Sequence, residues 1–240
     1  MDEIFPLVSC LMVTRAANMK IIDNALYSYI NQTYKNKELI IITDCESKNL
    51  DDLKILLNDY SDENIKLIYL KEKLKMGALR NVSIDNASGE YCIQWDDDDL
   101  YHEERIERQY LELISGDYDY CLLKEFTMYF YNTHLLSTNR WYDDFISGLP
   151  PSIMFRKNMK YRYPDNIQFS EDIVIGNQLN LKYSILSDLP YLYVYTYHGY
   201  NSFEYQHYLK LYRETKINFN EEIIEKIISL LNYKNLDYRF

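Results

Sequence analysis

Short apolar runs alternate with amphipathic stretches through the first hundred residues, the pattern of a parallel sheet covered by helices. Residues 7–13 read as a buried strand, and Ile22, Ala25, Leu26, Tyr29 and Ile30 follow at the spacing of one helix face. Residues 38–43, 65–70 and 91–95 supply three more strands. Between the second and third, Leu53, Leu56, Leu57 and Tyr60 form a helical stripe. Asn49 is placed to cap that helix, and Asp51 and Asp52 favour its positive end. Residues 77–87 predict a short helix closed by Gly89 in the C′ position.

Beyond the fourth strand the alternation loosens. Ile106, Gln109, Tyr110, Leu113 and Ile114 predict a helix ending at Gly116, and residues 118–124 and 126–131 predict strands. Residues 132–149 read as an irregular excursion whose Arg140, Trp141 and Tyr142 make it a candidate acceptor-facing loop. Pro150-Pro151 marks a break before a short strand at 152–155. Ser170 is placed to cap a helix beginning Glu171-Asp172, residues 189–197 predict another strand, and the amphipathic segment 221–231 is expected to pack on the body. With no repeat or linker, the pattern predicts one α/β domain over residues 1–240, a mainly parallel central sheet flanked by helices.

Charge narrows the partners. The formal charge of −11 leaves no basic excess to replace counterions along a phosphate backbone, which argues against nucleic acid. The apolar runs, such as Leu39-Ile40-Ile41-Ile42, are too short to span a bilayer, and no charged-then-apolar leader opens the chain. Cys10, Cys45, Cys92 and Cys121 show neither C-x-x-C nor zinc spacing, so a reducing cytoplasm is expected. The 26 tyrosines are read as a compositional bias.

Ligands of open α/β sheets bind beyond the carboxyl ends of the strands. Three acidic features fall at such ends or at a helix start: Asp44, the run Asp96-Asp97-Asp98-Asp99, and Glu171-Asp172. Two carboxylates ~6 Å apart repel by roughly 3 kcal/mol at an effective dielectric near 20. A cluster at the end of a buried strand therefore calls for a cation, and hard oxygen donors suit Mg²⁺ or Mn²⁺. Arg80, in the first turn of its helix, is the wrong charge for that dipole and calls for an anion brought from elsewhere, whether a ligand or the acidic run.

Taken in order, Pro6-Leu7-Val8-Ser9-Cys10, Glu38 to Asp44, Gly77-Ala78-Leu79-Arg80-Asn81, Ala87-Ser88-Gly89-Glu90-Tyr91, Trp95 to Asp99, Met154-Phe155-Arg156, Ser170-Glu171-Asp172 and Tyr197 to Ser202 resemble a family 2 glycosyltransferase. The resemblance implies a Rossmann-like GT-A fold, with a nucleotide-sugar-binding half at 1–100, an acceptor-binding half at 101–215 and a helical tail at 216–240. It implies a nucleoside-diphosphate sugar donor, a UDP-sugar foremost, a glycan or glycolipid acceptor, a divalent metal (Mn²⁺ or Mg²⁺) and inversion at the anomeric carbon. Thr14, Asp44, Arg80, Asp96 and Asp97 match positions near the nucleotide. Asp98, with Asp96, matches the metal-binding Asp-x-Asp, and His198 stands where relatives place a residue touching metal or diphosphate. Asp99 joins Asp97 as outer support. Asp172 matches the general base, with Glu171 beside it.

The chain departs from the pattern at Thr43-Asp44-Cys45-Glu46, where an Asp-Asp-Gly-Ser is common, and it lacks the Q-x-x-R-W of processive synthases. A single addition fits better than polymer synthesis. Peripheral contact with the inner membrane face through the tail is compatible with the sequence, although no basic cluster favours it. Two other functions fit the same acidic sites: a phosphoryl or nucleotidyl transferase, and an inactive sugar- or nucleotide-binding module.

Overall fold

The structure, a computed structural model, describes residues 5–142, 148–166, 181–234, 236, 237 and 239. Its strands are β1 (Val8–Thr14), β2 (Lys37–Thr43), β3 (Ile65–Tyr69), β4 (Tyr91–Gln94), β5 (Leu100–Tyr101), β6 (Tyr120–Leu123), β7 (Glu125–Phe130), β8 (Leu135–Arg140), β9 (Leu149–Arg156), β10 (Tyr183–Leu186), β11 (Tyr193–Tyr197) and β12 (Lys216–Ile217). The helices are α1 (Met19–Ile30), α2 (Ser47–Tyr60), α3 (Met76–Asn86), α4 (Arg105–Ser115), α5 (Tyr205–Thr215) and α6 (Glu221–Tyr233).

Among the described residues the strands form two sheets. The larger runs β10-β6-β9-β4-β1-β2-β3 and the smaller β12-β8-β7-β11-β5. In the larger sheet β9 runs antiparallel to both neighbours and every other pairing is parallel. Strands β1 and β2 are buried on both faces because alternate residues feed different cores. Val8, Cys10, Met12, Leu39 and Ile41 pack with Ile22, Ala25, Leu26 and Leu53 of α1 and α2. Leu11, Val13, Ile40 and Ile42 pack with Leu79 and Ile84 of α3. The mainly parallel sheet flanked by helices is as the sequence predicts, and α6 packs Ile227 and Leu231 fully into the core as its pattern requires.

Four local expectations are corrected. Helix α2 starts at Ser47, so Asn49 lies within its first turn and donates to the Arg15 carbonyl, and Asp51 and Asp52 fall beyond the first turn. Helix α3 is capped at Ala87, and Gly89 serves close packing instead: a Cβ there would stand 2.5 Å from the Leu7 carbonyl oxygen. The excursion at 132–149 contains β8, paired antiparallel to β7, and its Arg140 ion-pairs with buried Glu125 at 2.7 Å. The prolines at 150 and 151 do not break a strand but lie inside β9. They fall beyond its pairing to β4, which covers Met154 to Arg156, and at a register shift against β6. There the Ser152 Oγ accepts the Leu123 N–H at 2.8 Å in place of a strand carbonyl.

Candidate active site

Because β1 is flanked by β4 on one side and β2 on the other, the crevice beyond their carboxyl ends is a topological switch point. The chain leaves β4 there through Trp95, whose N–H bonds to the Leu11 carbonyl at 3.0 Å, and turns through residues 96–99 into β5 of the second sheet. The four aspartates occupy this passage and meet four different surroundings.

Asp96 is held by Arg80 Nη1 at 3.0 Å and by Gln94 Nε2 at 3.2 and 3.1 Å. Gln94 is itself oriented by the Tyr163 hydroxyl, which donates to its Oε1 at 2.7 Å. Asp97 is half-buried on the cleft wall. Burial first, then the charges of Asp98 and Asp96, push its carboxyl up to about 7, against a hydrogen bond from Thr14. Asp98 accepts from His198 Nε2 at 3.2 Å and Asn201 Nδ2 at 3.1 Å, both at Oδ2, while its carbonyl accepts the Thr196 hydroxyl. Asp99 points away from the cleft. It is 1% exposed, accepts from Tyr193 Oη at 2.6 Å and Thr196 N at 2.8 Å, and burial holds its carboxyl well above the usual range. It pins the turn to the second sheet.

His198 has a definite tautomer in this arrangement. Its Nδ1 accepts the Tyr200 N–H at 3.2 Å, so Nε2 carries the ring proton and donates to Asp98. As placed, the ring bridges the Tyr200 N–H and the Asp98 carboxylate beside the cleft.

Thr14 ends β1 beneath Asp97, and its Oγ1 also accepts the Ala16 N–H at 2.9 Å. Asp44, at the end of β2, is 2% exposed and spoken for by the protein. Arg15 Nε reaches its Oδ1 at 3.2 Å and the Leu74 N–H its Oδ2 at 3.0 Å, which clamps the 70–75 loop onto the strand end. A cleft of about 300 Å³ opens over Val13, Arg15, Met76, Asp97, Asp98 and His198, with Tyr200, 77% exposed, on its rim.

The structure therefore brings Thr14, Arg80, Asp96, Asp97, Asp98 and His198 together, with Asp44 one strand away. Glu171 and Asp172 lie outside the described residues, as does Ser170. Arg15, Gln94, Tyr163, Thr196 and Asn201 complete the surroundings and were not singled out from the sequence. Only Asn201 had a signal, its place in the run Tyr197 to Ser202.

The donor set can be tested against a metal. Among the described residues no three His, Cys, Asp or Glu side chains converge on one point, so the protein alone offers no closed cage. What it offers is hard carboxylate oxygen on an open cleft, with repulsion around Asp97 left unrelieved. That combination fits a Mg²⁺- or Mn²⁺-sized cation completed by phosphate and water rather than a structural metal.

The open α/β sheet with an acidic turn at its switch point and a second sheet closing one side has the GT-A fold. The sequence model for glycosyl transferase family 2 matches residues 9–174, and the chain belongs to that family. Staphylococcus aureus TarS, solved in complex with UDP-GlcNAc, aligns over 98% of this chain and 68% of its own at a TM-score of 0.64 and 18% identity. The mannosyltransferase PcManGT from Pyrobaculum calidifontis, in complex with GDP-Man and Mn²⁺, aligns over 98% and 71% at 0.62 and 12% identity. In sequence, the Escherichia coli UDP-Glc:alpha-D-GlcNAc-diphosphoundecaprenol beta-1,3-glucosyltransferase WfgD is 24% identical over 154 residues, 64% of this chain and 55% of WfgD. The chain spans about half the length of the curated relatives it matches. Among the described residues no helix is long and apolar enough to cross a membrane.

Proposed function

We propose that this chain transfers one sugar, with inversion and with a divalent cation, from a nucleoside-diphosphate sugar to a hydroxyl of a glycan or glycolipid acceptor. The observation that carries this reading is the open cleft at the switch point lined by Asp97, Asp98 and His198, with Thr14 bonded to Asp97 and Arg80 paired with the adjoining Asp96. UDP is the foremost nucleotide, on the UDP-linked donors named for TarS and WfgD, and WfgD's lipid-diphosphate acceptor supports a glycolipid here.

Asp98, with Asp96 beside it, would hold the Mn²⁺ or Mg²⁺, and His198, bonded to the same Asp98 carboxylate, would stand next to it. A cation held there would supply positive charge to the leaving diphosphate. Thr14 and Asp44 border the nucleotide side of the cleft. Arg80, now paired with Asp96, lies where a diphosphate can compete for its guanidinium. Asp172, with Glu171 beside it, accepts the acceptor hydroxyl proton as that oxygen attacks the anomeric carbon and the bond to the nucleoside diphosphate breaks on the opposite face.

Thermal unfolding with UDP, GDP, dTDP and CMP, with and without Mn²⁺, tests the donor site. Ligand at 100 times its dissociation constant adds about 2.7 kcal/mol, a rise of roughly 5–10 °C at this size. Such a rise with one nucleotide, dependent on Mn²⁺ and lost in Asp98→Asn, is the expected result. No rise at millimolar ligand removes the metal–nucleotide reading. Asp172→Asn is expected to keep the rise while transfer falls at least about 10³-fold; unchanged turnover takes Asp172 out of the base role.

A further inference from the structure

Arg105 is the most expensive side chain in the molecule to explain by packing alone. It is 0% exposed, forms no ion pair among the described residues, and its Nη1 has no hydrogen-bond partner there. It also opens α4, where a cation opposes the helix dipole. Each of these features costs stability.

What surrounds the guanidinium is informative. It lies over three aromatic rings, Tyr101 at 4.3 Å, Tyr193 at 4.9 Å and Trp95 at 5.2 Å. Its Nη2 donates to the Gln94 carbonyl at 3.0 Å and its Nε to Gln109 at 3.2 Å. Every one of these groups except Gln109 is fastened to the aspartate turn. Tyr101 donates to the Asp96 carbonyl at 3.1 Å, Tyr193 holds the Asp99 carboxyl, and the Gln94 side chain holds Asp96. Trp95 is the residue from which the turn departs. A flat cation satisfied by three ring faces fixes the rings' tilt as well as their position, which an aliphatic side chain of similar volume does not.

We propose that Arg105 is a positioning residue for the 96–99 turn, setting the carboxylates through Tyr101, Tyr193, Trp95 and Gln94 without touching the cleft. This deepens the metal–nucleotide reading of the same turn and rests on it for its functional consequence. Its structural content stands apart from that reading.

The test compares wild type with Arg105→Met, which keeps volume, and Arg105→Lys, which keeps charge but not the flat contact. Amide hydrogen exchange across residues 96–101 and binding of Mn²⁺ alone and of UDP with Mn²⁺ are measured on the full chain. Arg105→Met is expected to melt within about 3 °C of wild type, since a buried unpaired charge has been removed. Its 96–101 amides are expected to exchange about tenfold faster while the parallel strands do not change. Mn²⁺ and UDP affinity are expected to fall about 10- to 100-fold, with Arg105→Lys intermediate. Unchanged exchange and affinity in a folded Arg105→Met overturn the proposal. If Arg105→Met does not fold, Arg105→Lys decides on the same readouts, and failure of both to fold overturns it in favour of a plain folding role. If wild type binds neither Mn²⁺ nor UDP, the functional reading fails while the exchange result still decides Arg105.

Discussion

Strand β1 carries a hydroxyl near each end, and each meets a carboxylate in opposite circumstances. At its amino end Ser9 Oγ donates to Glu38 at 2.6 Å, and the Ser88 N–H at 2.5 Å and Lys66 Nζ at 2.6 Å complete the set. Burial works against that charge, yet Lys66, Ser9 and Ser88 together hold the carboxyl below its usual range. At the carboxyl end Thr14 meets Asp97, whose carboxyl burial and two neighbouring aspartates push up to about 7. One edge of the sheet is saturated and the other is left wanting positive charge. The contrast between Glu38 and Asp97 is what the proposed cation would resolve.

The comparison can be broken at the saturated edge first. Glu38→Ala strands the Ser9 hydroxyl and Ser88 N–H, and is expected to cost about 2–4 kcal/mol, lowering the melting temperature by roughly 5–15 °C. UDP and Mn²⁺ affinity are expected to stay at the wild-type value in titration calorimetry. Because the folded-state value lies below the unfolded 4.5, Glu38's contribution is complete above about pH 4.5 and is lost as pH falls through the depressed value. At the open edge the sign reverses. Asp97→Asn relieves repulsion and is expected to raise the unliganded melting temperature by about 2 °C while weakening Mn²⁺–UDP binding about tenfold. A variant that loses both stability and affinity there would show that the edge is not frustrated.

The smallest effect belongs to His102, just past the turn. Its Nδ1 accepts the Glu104 N–H at 3.2 Å, and burial lowers its pKa to about 4 from 6.5. The unfolded chain therefore binds the extra proton between these values, and stability falls as pH drops from 6.5 towards 4. His102→Gln, which keeps an acceptor, is expected to flatten that limb of a pH-dependent unfolding series.

The parallel half was legible because β1, β2 and β4 are buried on both faces and β1 and β2 read as apolar runs. The positions of β1 to β4 agree with the sequence within a residue or two at each end. Strand β8 was not legible, since Ser137, Thr138 and Asn139 are buried but polar. They are satisfied by one another and by Thr215 and the Ile217 carbonyl, partners that no local pattern reveals. The acidic turn was read correctly as a cluster, yet its four members look alike in sequence. Only the fold separates Asp98, open to the cleft, from Asp99, sealed behind it. Arg105 did leave a trace, a charge in register with Ile106, Gln109, Tyr110 and Leu113 on the inward face of α4.

The turn's fastenings also set an order of assembly. Asp98 is held by His198, 100 positions downstream, and Asp99 by Thr196, 97 downstream, whereas the strands beneath the turn are closed among residues 8–94. A chain emerging from the ribosome can pair β1 to β4 long before it has made the residues that shape its acidic rim. The acidic rim is thus fastened by segments made about a hundred residues after the turn they hold.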